Sequence, residues 1–199
     1  MRRVRMRKLI KRAFNDTAES LPRELKTMPL GRWSEGVFRY FFCRFLSKAN
    51  ASIVQRLECD HIDLVLRGKH EIAFVEFKFY WRPPRFNPET DQPCGFKGGP
   101  GKKNLSEFRK CIKKLGSRRS DPNLSKYVVL LFADPLHTPR QKNSFARSYG
   151  DYKHTSRGTT VQSLSQKSFH ADEHAITCRL FEISRAAGAQ KQRTRSTQI

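Results

Sequence analysis

The sequence predicts an α/β fold with the element order αβββαβ: a helix, three strands, a second helix and a fourth strand. Three features predict it: an apolar stripe at helical spacing over residues 31–48, three strand-like segments directly after it, and an unbroken apolar run at 126–134. Such a run is typical of a strand that is buried on both faces. We therefore expect a mixed central sheet flanked by helices.

The first four elements are recognised from residue type and spacing. Ser34 suits the N-cap of the first helix, because its hydroxyl can accept a hydrogen bond from a free backbone N–H. Segments 53–58, 62–67 and 71–81 are rich in β-branched and aromatic residues, which favours strands. A tight turn at residues 68–69 is predicted to join the second strand to the third.

The later elements are more widely spaced. Residues 104–116 place apolar side chains every three or four positions, which predicts a helix, and Gly116 suits its C-cap. A last strand is expected near 175–183. The segment 135–168 is polar, and no element is assigned to it.

Charge is the strongest compositional signal. The 199 residues include 40 Lys and Arg against 18 Asp and Glu, a formal net charge of +22. A surface this positive repels itself until a polyanion neutralises it, and binding nucleic acid releases condensed counterions. Nucleic acid is the expected partner, with an acidic protein or an anionic membrane surface as less specific alternatives.

Composition also argues against several classes of protein. No apolar run approaches the roughly 18 residues that a membrane-spanning helix needs. The five cysteines are scattered without a CxxC pair, which argues against a disulfide framework or a structural zinc site. We expect a cytoplasmic protein, on the nucleoid if its source is bacterial, with no membrane partner.

Basic segments divide the chain. The Arg-rich, acid-free start is interpreted as a basic arm, helical when bound to a partner and mobile otherwise, and it also resembles a mitochondrial presequence. A loop rich in Pro and Gly offers cations that can contact phosphates. The expected ranges are 1–15 for the arm, 16–184 for one domain (core at about 31–134, basic loop at 82–104) and 185–199 for a flexible basic tail. The nucleic-acid contacts expected in this loop and just after it are Arg82, Arg85, Lys97, Lys102 and Lys103.

The third strand holds the least ordinary side chains. It is apolar on both faces except at Glu76 and Lys78, which share a face. Two charges on a central strand are costly unless they are paired or bound to a metal.

A second carboxylate begins the neighbouring strand. Pairing Arg67 with Glu71 across the turn would set Asp63 opposite Val75, beside Glu76, and a bulge or a change of register would bring the two carboxylates together. Two hard oxygen ligands with positions left for water and phosphate suit Mg²⁺.

These residues also form a family motif. Asp63, twelve further residues and then Glu76-Phe77-Lys78 resemble the D-x(n)-E-x-K signature of the PD-(D/E)XK nuclease superfamily, and the αβββαβ order is similar to that superfamily's core. The resemblance covers roughly residues 31–134. The chain departs from the motif at Cys59-Asp60-His61-Ile62, where a proline often precedes the Asp.

The resemblance implies a restriction-endonuclease-like fold and roles for four residues. Asp63 and Glu76 would bind Mg²⁺, with Mn²⁺ as a substitute, and Lys78 would help to activate or position water. Glu35 would support the metal from the first helix, as a Glu does in many members. Two alternatives stay open: Glu35 could instead pair with Arg39 four residues on, and Asp60 competes with Asp63 as the ligand.

The motif and the charge together indicate a magnesium-dependent endonuclease that hydrolyses phosphodiester bonds in DNA, which is expected over RNA. Cutting both strands of a duplex usually requires two active sites, so a homodimer is one expected assembly. The alternatives are a catalytically inactive nuclease-fold protein that binds DNA or RNA, and a small basic protein associated with RNA or the ribosome.

Overall fold

The structure, a computed structural model, describes residues 3–82, 84–86, 89–90, 93–96, 101–118, 121–136, 144–150, 152, 155–156, 158–171 and 173–185. Its helices are α1 (Arg3–Thr27), α2 (Glu35–Ala49), α3 (Lys102–Ser117) and α4 (Phe145–Tyr149), with a 3₁₀ turn at Leu30–Arg32. Its strands are β1 (Val54–Cys59), β2 (Ile62–Arg67), β3 (Ile72–Trp81), β4 (Pro84–Phe86), β5 (Pro93–Phe96), β6 (Leu124–Pro135), β7 (Thr155–Ser156), β8 (Thr159–Ala171) and β9 (His174–Ser184).

Seven strands form one mixed sheet in the order β1-β2-β3-β6-β9-β8-β7. β3 and β6 are parallel neighbours, with α3 in the connection between them, and every other pair in the sheet is antiparallel. The α/β class, the mixed sheet and the predicted order from α2 to β6 are confirmed. No helix in these described ranges is long and apolar enough to span a membrane.

Helices cover both faces of the sheet, because its central strands are apolar on both sides. α1 and α2 pack on one face, where Phe77 of β3 lies edge-on to Phe38 and Phe42, at ring distances of 6.1 and 5.3 Å. α3 and α4 pack on the other face around Phe108 and Tyr149. The result is a three-layer arrangement with a separate apolar cluster on each side of the sheet.

The basic start is not an arm separate from the domain, and this prediction was wrong. Residues 3–27 form one helix that continues through Pro22. Its apolar side is buried against α2 and the sheet, with Ile10 and Phe14 fully buried and Met6 nearly so. The many Lys and Arg residues of this segment make its helical pattern of buried apolar positions hard to recognise in the sequence.

Three further predictions need correction. The segment 82–104 is not wholly irregular, because β4 and β5 pair within it and α3 begins at Lys102. The polar segment 135–168 contains α4 and most of β8. Gly116 is not the C-cap of α3: it lies inside the last turn, where a Cβ would stand 2.5 Å from Thr159 Oγ1 on β8, so that only glycine allows this close approach.

Candidate active site

The predicted site lies where β2 ends and β3 continues. The ladder between these strands runs from the pair Arg67 and Ile72 to the pair Leu64 and Val75, while β3 extends to Trp81. The predicted pairing of Arg67 with Glu71 is therefore wrong by one residue. The Gly68 N–H donates to the Glu71 carbonyl at 2.9 Å, which closes a longer turn.

The ladder between β2 and β3 ends at Leu64 and Val75, so Asp63 and Glu76 each lie one residue beyond the last pair. Asp63 is close enough for its charge to raise the pKa of Glu76. Asp63 Oδ2 accepts a hydrogen bond of 2.7 Å from the Phe77 backbone N–H. The Phe77 N–H, which lies beyond the last β2–β3 pair, is thus satisfied by the Asp63 side chain. This hydrogen bond holds the Asp63 carboxylate beside that of Glu76.

Glu76 is the buried member of the site, with a side chain only 3% exposed. Its Oε1 lies 2.5 Å from Lys114 Nζ of α3. Burial, assisted by the Asp63 charge, raises the pKa of Glu76 to about 7, although Lys114 and Lys78 act in the opposite direction. Near neutral pH, Glu76 is therefore divided between its protonated and ionised forms. A cation bound beside it would favour the ionised form.

Lys78 turns toward α2 and pairs with Glu35 there. Its Nζ lies 3.2 Å from Glu35 Oε2 and donates to the Phe77 carbonyl at 2.6 Å. Burial alone would lower the pKa of Lys78, but the Glu35 and Asp63 charges outweigh it, and the pKa is raised. Burial also raises the pKa of Glu35, against the pull of Lys78. Lys78 is therefore held as a charged ammonium beside the carboxylates.

The turn between β1 and β2 forms the open side of the site. A cavity of about 350 Å³ is lined by Glu58, His61, Ile62 and Asp63. Glu58, Asp60 and His61 have positive φ angles of 49°, 52° and 60°. Asp60 and His61 form the two-residue turn of this hairpin, where positive φ at both residues is favoured. The cavity gives a small ligand access to the Asp63 carboxylate.

Cations from two helices hold this turn. Arg39 of α2 donates to Glu58 Oε1 at 2.9 Å, so the alternative pairing with Glu35 is not the ion pair that forms. Arg118, at the end of α3, pairs with the Asp60 side chain and donates to its carbonyl. Asp60 is therefore a turn residue held by α3, and Asp63 is the carboxylate next to Glu76.

The structure brings Asp63, Glu76, Lys78 and Glu35 together at one end of the β2–β3 pair. In the described ranges, no group of three or more His, Cys, Asp or Glu side chains is arranged to hold a metal ion. Glu76 is instead paired with Lys114 and Glu35 with Lys78, while Asp63 accepts a hydrogen bond from the Phe77 N–H. A site of two carboxylates nevertheless fits Mg²⁺, which keeps several waters and is usually bound through one or two carboxylates and the phosphates of a substrate.

Only some of the predicted nucleic-acid contacts lie within the described residues. Lys102 and Lys103 are exposed in the first turn of α3, and Arg82 directly follows β3. Lys97 and the side chain of Arg85 lie outside the described residues, as does the predicted tail beyond 185.

Sequence reasoning missed Lys114 and Arg39 as members of the site. Lys114 adjoins the apolar stripe of α3, between Cys111 and Leu115, which is the only sequence signal that it borders the sheet. No local pattern indicates that Arg39 reaches Glu58, because that contact depends on how α2 packs against the end of β1.

Cavity size alone does not mark this site. A larger cavity of about 730 Å³ lies at the opposite end of the β2–β3 pair, lined in part by Lys8, Arg12, Lys69 and His70. It contains none of the carboxylates of the motif.

Comparisons with known proteins add no relative. No protein-family model, no curated protein and no solved structure matches the chain.

The raised pKa of Glu76 predicts a pH-dependent stability. With a folded value of about 7 against 4.5 for an ordinary Glu, the folded protein holds a proton that the unfolded chain has lost. Stability from this group is full below about pH 4.5 and falls as pH rises through 7. In EDTA, the free energy of unfolding of the parent should fall by about 1–3 kcal/mol more than that of Glu76→Gln between pH 5 and 8. Urea titrations test this, and parallel curves for the two proteins would contradict it.

Proposed function

We propose that this chain is a metal-dependent nuclease that hydrolyses phosphodiester bonds in DNA, on a restriction-endonuclease-like αβββαβ core. The observation on which the proposal depends is that Asp63 and Glu76 lie near each other just beyond the last β2–β3 pair, with Lys78 in the same charge cluster. The element order from α2 to β6, with β3 and β6 parallel, is compatible with that core.

Asp63 and Glu76 would hold the divalent ion between them. Their carboxylate oxygens suit Mg²⁺ or Mn²⁺ as ligands. The raised pKa of the buried Glu76 indicates that the nearby lysines do not fully compensate for the burial of its charge. When bound, the ion polarises the phosphate and lowers the pKa of a coordinated water. The cavity beside Asp63 leaves room for the phosphate to approach.

Lys78 would position water and offset charge on the phosphate. As an ammonium it cannot be a Mg²⁺ ligand, so its role is electrostatic or in proton transfer. Glu35, 3.2 Å from its Nζ, would orient it from α2 rather than bind the metal directly. In this arrangement one carboxylate aims the lysine, and two others form the metal site.

The surface beside the site suits a polyanion. α3 touches the site through Lys114 and Arg118, and its outward side is strongly basic. Glu107 is the single acid between residues 102 and 118. The seven cations of this segment are Lys102, Lys103, Arg109, Lys110, Lys113, Lys114 and Arg118. Its apolar stripe packs on the sheet, so these cations face solvent or the rim of the site.

One observation favours a second candidate function. The carboxylate of Glu76 is paired with Lys114 and that of Glu35 with Lys78, as expected of a site that never binds metal. A protein with such a site would bind nucleic acid without cutting it. Cleavage that depends on metal separates the two functions.

Cleavage of supercoiled plasmid with Mg²⁺, Mn²⁺ or EDTA tests the enzyme directly. We expect the parent to cut with metal, Glu76→Ala to lose cleavage but retain binding, and Lys78→Ala to be slower by about 10²–10⁴ in single turnover. Lys78→Arg should fall between the two, because it keeps the charge but loses the compact ammonium. Glu107→Ala, an exposed acid on α3, is the control and should cut normally. A parent that binds DNA but does not cut it with either metal would establish the binding function instead.

Salt dependence of binding tests which surface meets the nucleic acid. The double variant Lys110→Gln, Lys113→Gln should make the slope of log K against log salt shallower by about two, since each lost phosphate contact removes about one. The control is Lys11→Gln, Lys26→Gln, which removes the same charge from exposed positions of α1 on the opposite face. Anisotropy of a labelled duplex in EDTA gives both slopes. Equal slopes for the two variants would show that α3 is not the binding surface.

A further inference from the structure

Lys114 contacts the site in two places. Its Nζ lies 2.5 Å from Oε1 of the buried Glu76 and donates a 2.7 Å hydrogen bond to the His61 carbonyl in the turn between β1 and β2. The ammonium thus stands in contact with the same carboxylate that the proposed metal would use. One carboxylate oxygen cannot be held by the lysine at this distance and be fully available to a divalent ion.

The two ends of this ion pair differ in mobility. The Glu76 side chain is 3% exposed, whereas that of Lys114 is 37% exposed. Glu76 is fixed in the middle of β3, between two paired strands. Lys114 extends from the edge of the apolar stripe of α3 and is partly exposed, so it can withdraw to solvent while that stripe stays packed.

Lys78 does not share this position. Its partner is Glu35, and its second contact is the Phe77 carbonyl. Its side chain is 21% exposed, and it is held by groups from α2 and β3. Of these two lysines, Lys114 is the one that combines contact with Glu76 and access to solvent.

We propose that Lys114 is the resident cation of the Glu76 carboxylate and that a divalent metal displaces it. The inference rests on the proposed nuclease function. In the metal-free protein Lys114 stabilises a carboxylate that would otherwise be buried without a partner. On metal binding it leaves, which also releases the His61 carbonyl. Metal affinity is then weakened by the need to break this ion pair, and Lys114 is a positioning residue, not a ligand.

Two measurements test the displacement. Calorimetry at pH 8.5 should show that Lys114→Met binds Mn²⁺ about tenfold more tightly than the parent, with Lys113→Met, an exposed neighbour on α3, unchanged. Lys114→Arg keeps the cation and should resemble the parent. On the parent itself, the rate of reductive methylation at Lys114, followed by mass spectrometry, should rise severalfold when Mn²⁺ is added, while that at Lys113 stays constant.

The methylation measurement needs no variant, so it stands even if Lys114→Met fails to fold. Equal Mn²⁺ affinities for the Met variants at 113 and 114, or a Lys114 methylation rate that does not respond to Mn²⁺, would overturn the displacement while the metal site stands. Mn²⁺ binding that survives Glu76→Gln unchanged would remove the proposed metal site, and the displacement with it.

Discussion

The structure of the site depends on one costly feature, a carboxylate in the middle of a buried strand. Glu76 lies between two paired strands and beneath α3, where water cannot solvate its charge. An unpaired charge in such a place either takes up a proton or obtains a cation. The pKa of about 7, raised by burial, and the ion pair with Lys114 are the two responses that the structure shows. A divalent ion would be a third.

The turn before β2 is in contact with the same helix. Asp60 and His61 are the two central residues of this hairpin, and their positive φ angles are the geometry that such tight turns favour. Here Lys114 and Arg118 of α3 bond to the carbonyls of His61 and Asp60. The helix that neutralises Glu76 therefore also contacts the turn that leads into Asp63. Packing of α3 on the sheet couples the two halves of the proposed metal site.

Much of this could be predicted from sequence where the signal is local. The strand pair and Glu76 were recognisable because apolar alternation is interrupted at that residue. The register was not, because it depends on a turn hydrogen bond between Gly68 and Glu71. The helix at residues 3–27 was mistaken for an arm, since its cations hide the buried positions such as Phe14. Lys114 reaches Glu76 only after α3 docks, so no pattern within the chain indicates that ion pair.

Anomalous diffraction from crystals soaked in Mn²⁺ tests the central claim most directly, because it locates the ion without reference to activity. The account predicts a peak within about 2.0–2.6 Å of one carboxylate oxygen from each of Asp63 and Glu76. In the same map Lys114 Nζ should have moved away from Glu76 Oε1, which it contacts in the structure described above. A map with no peak between these carboxylates, or with Mn²⁺ bound only elsewhere on the protein, would contradict it.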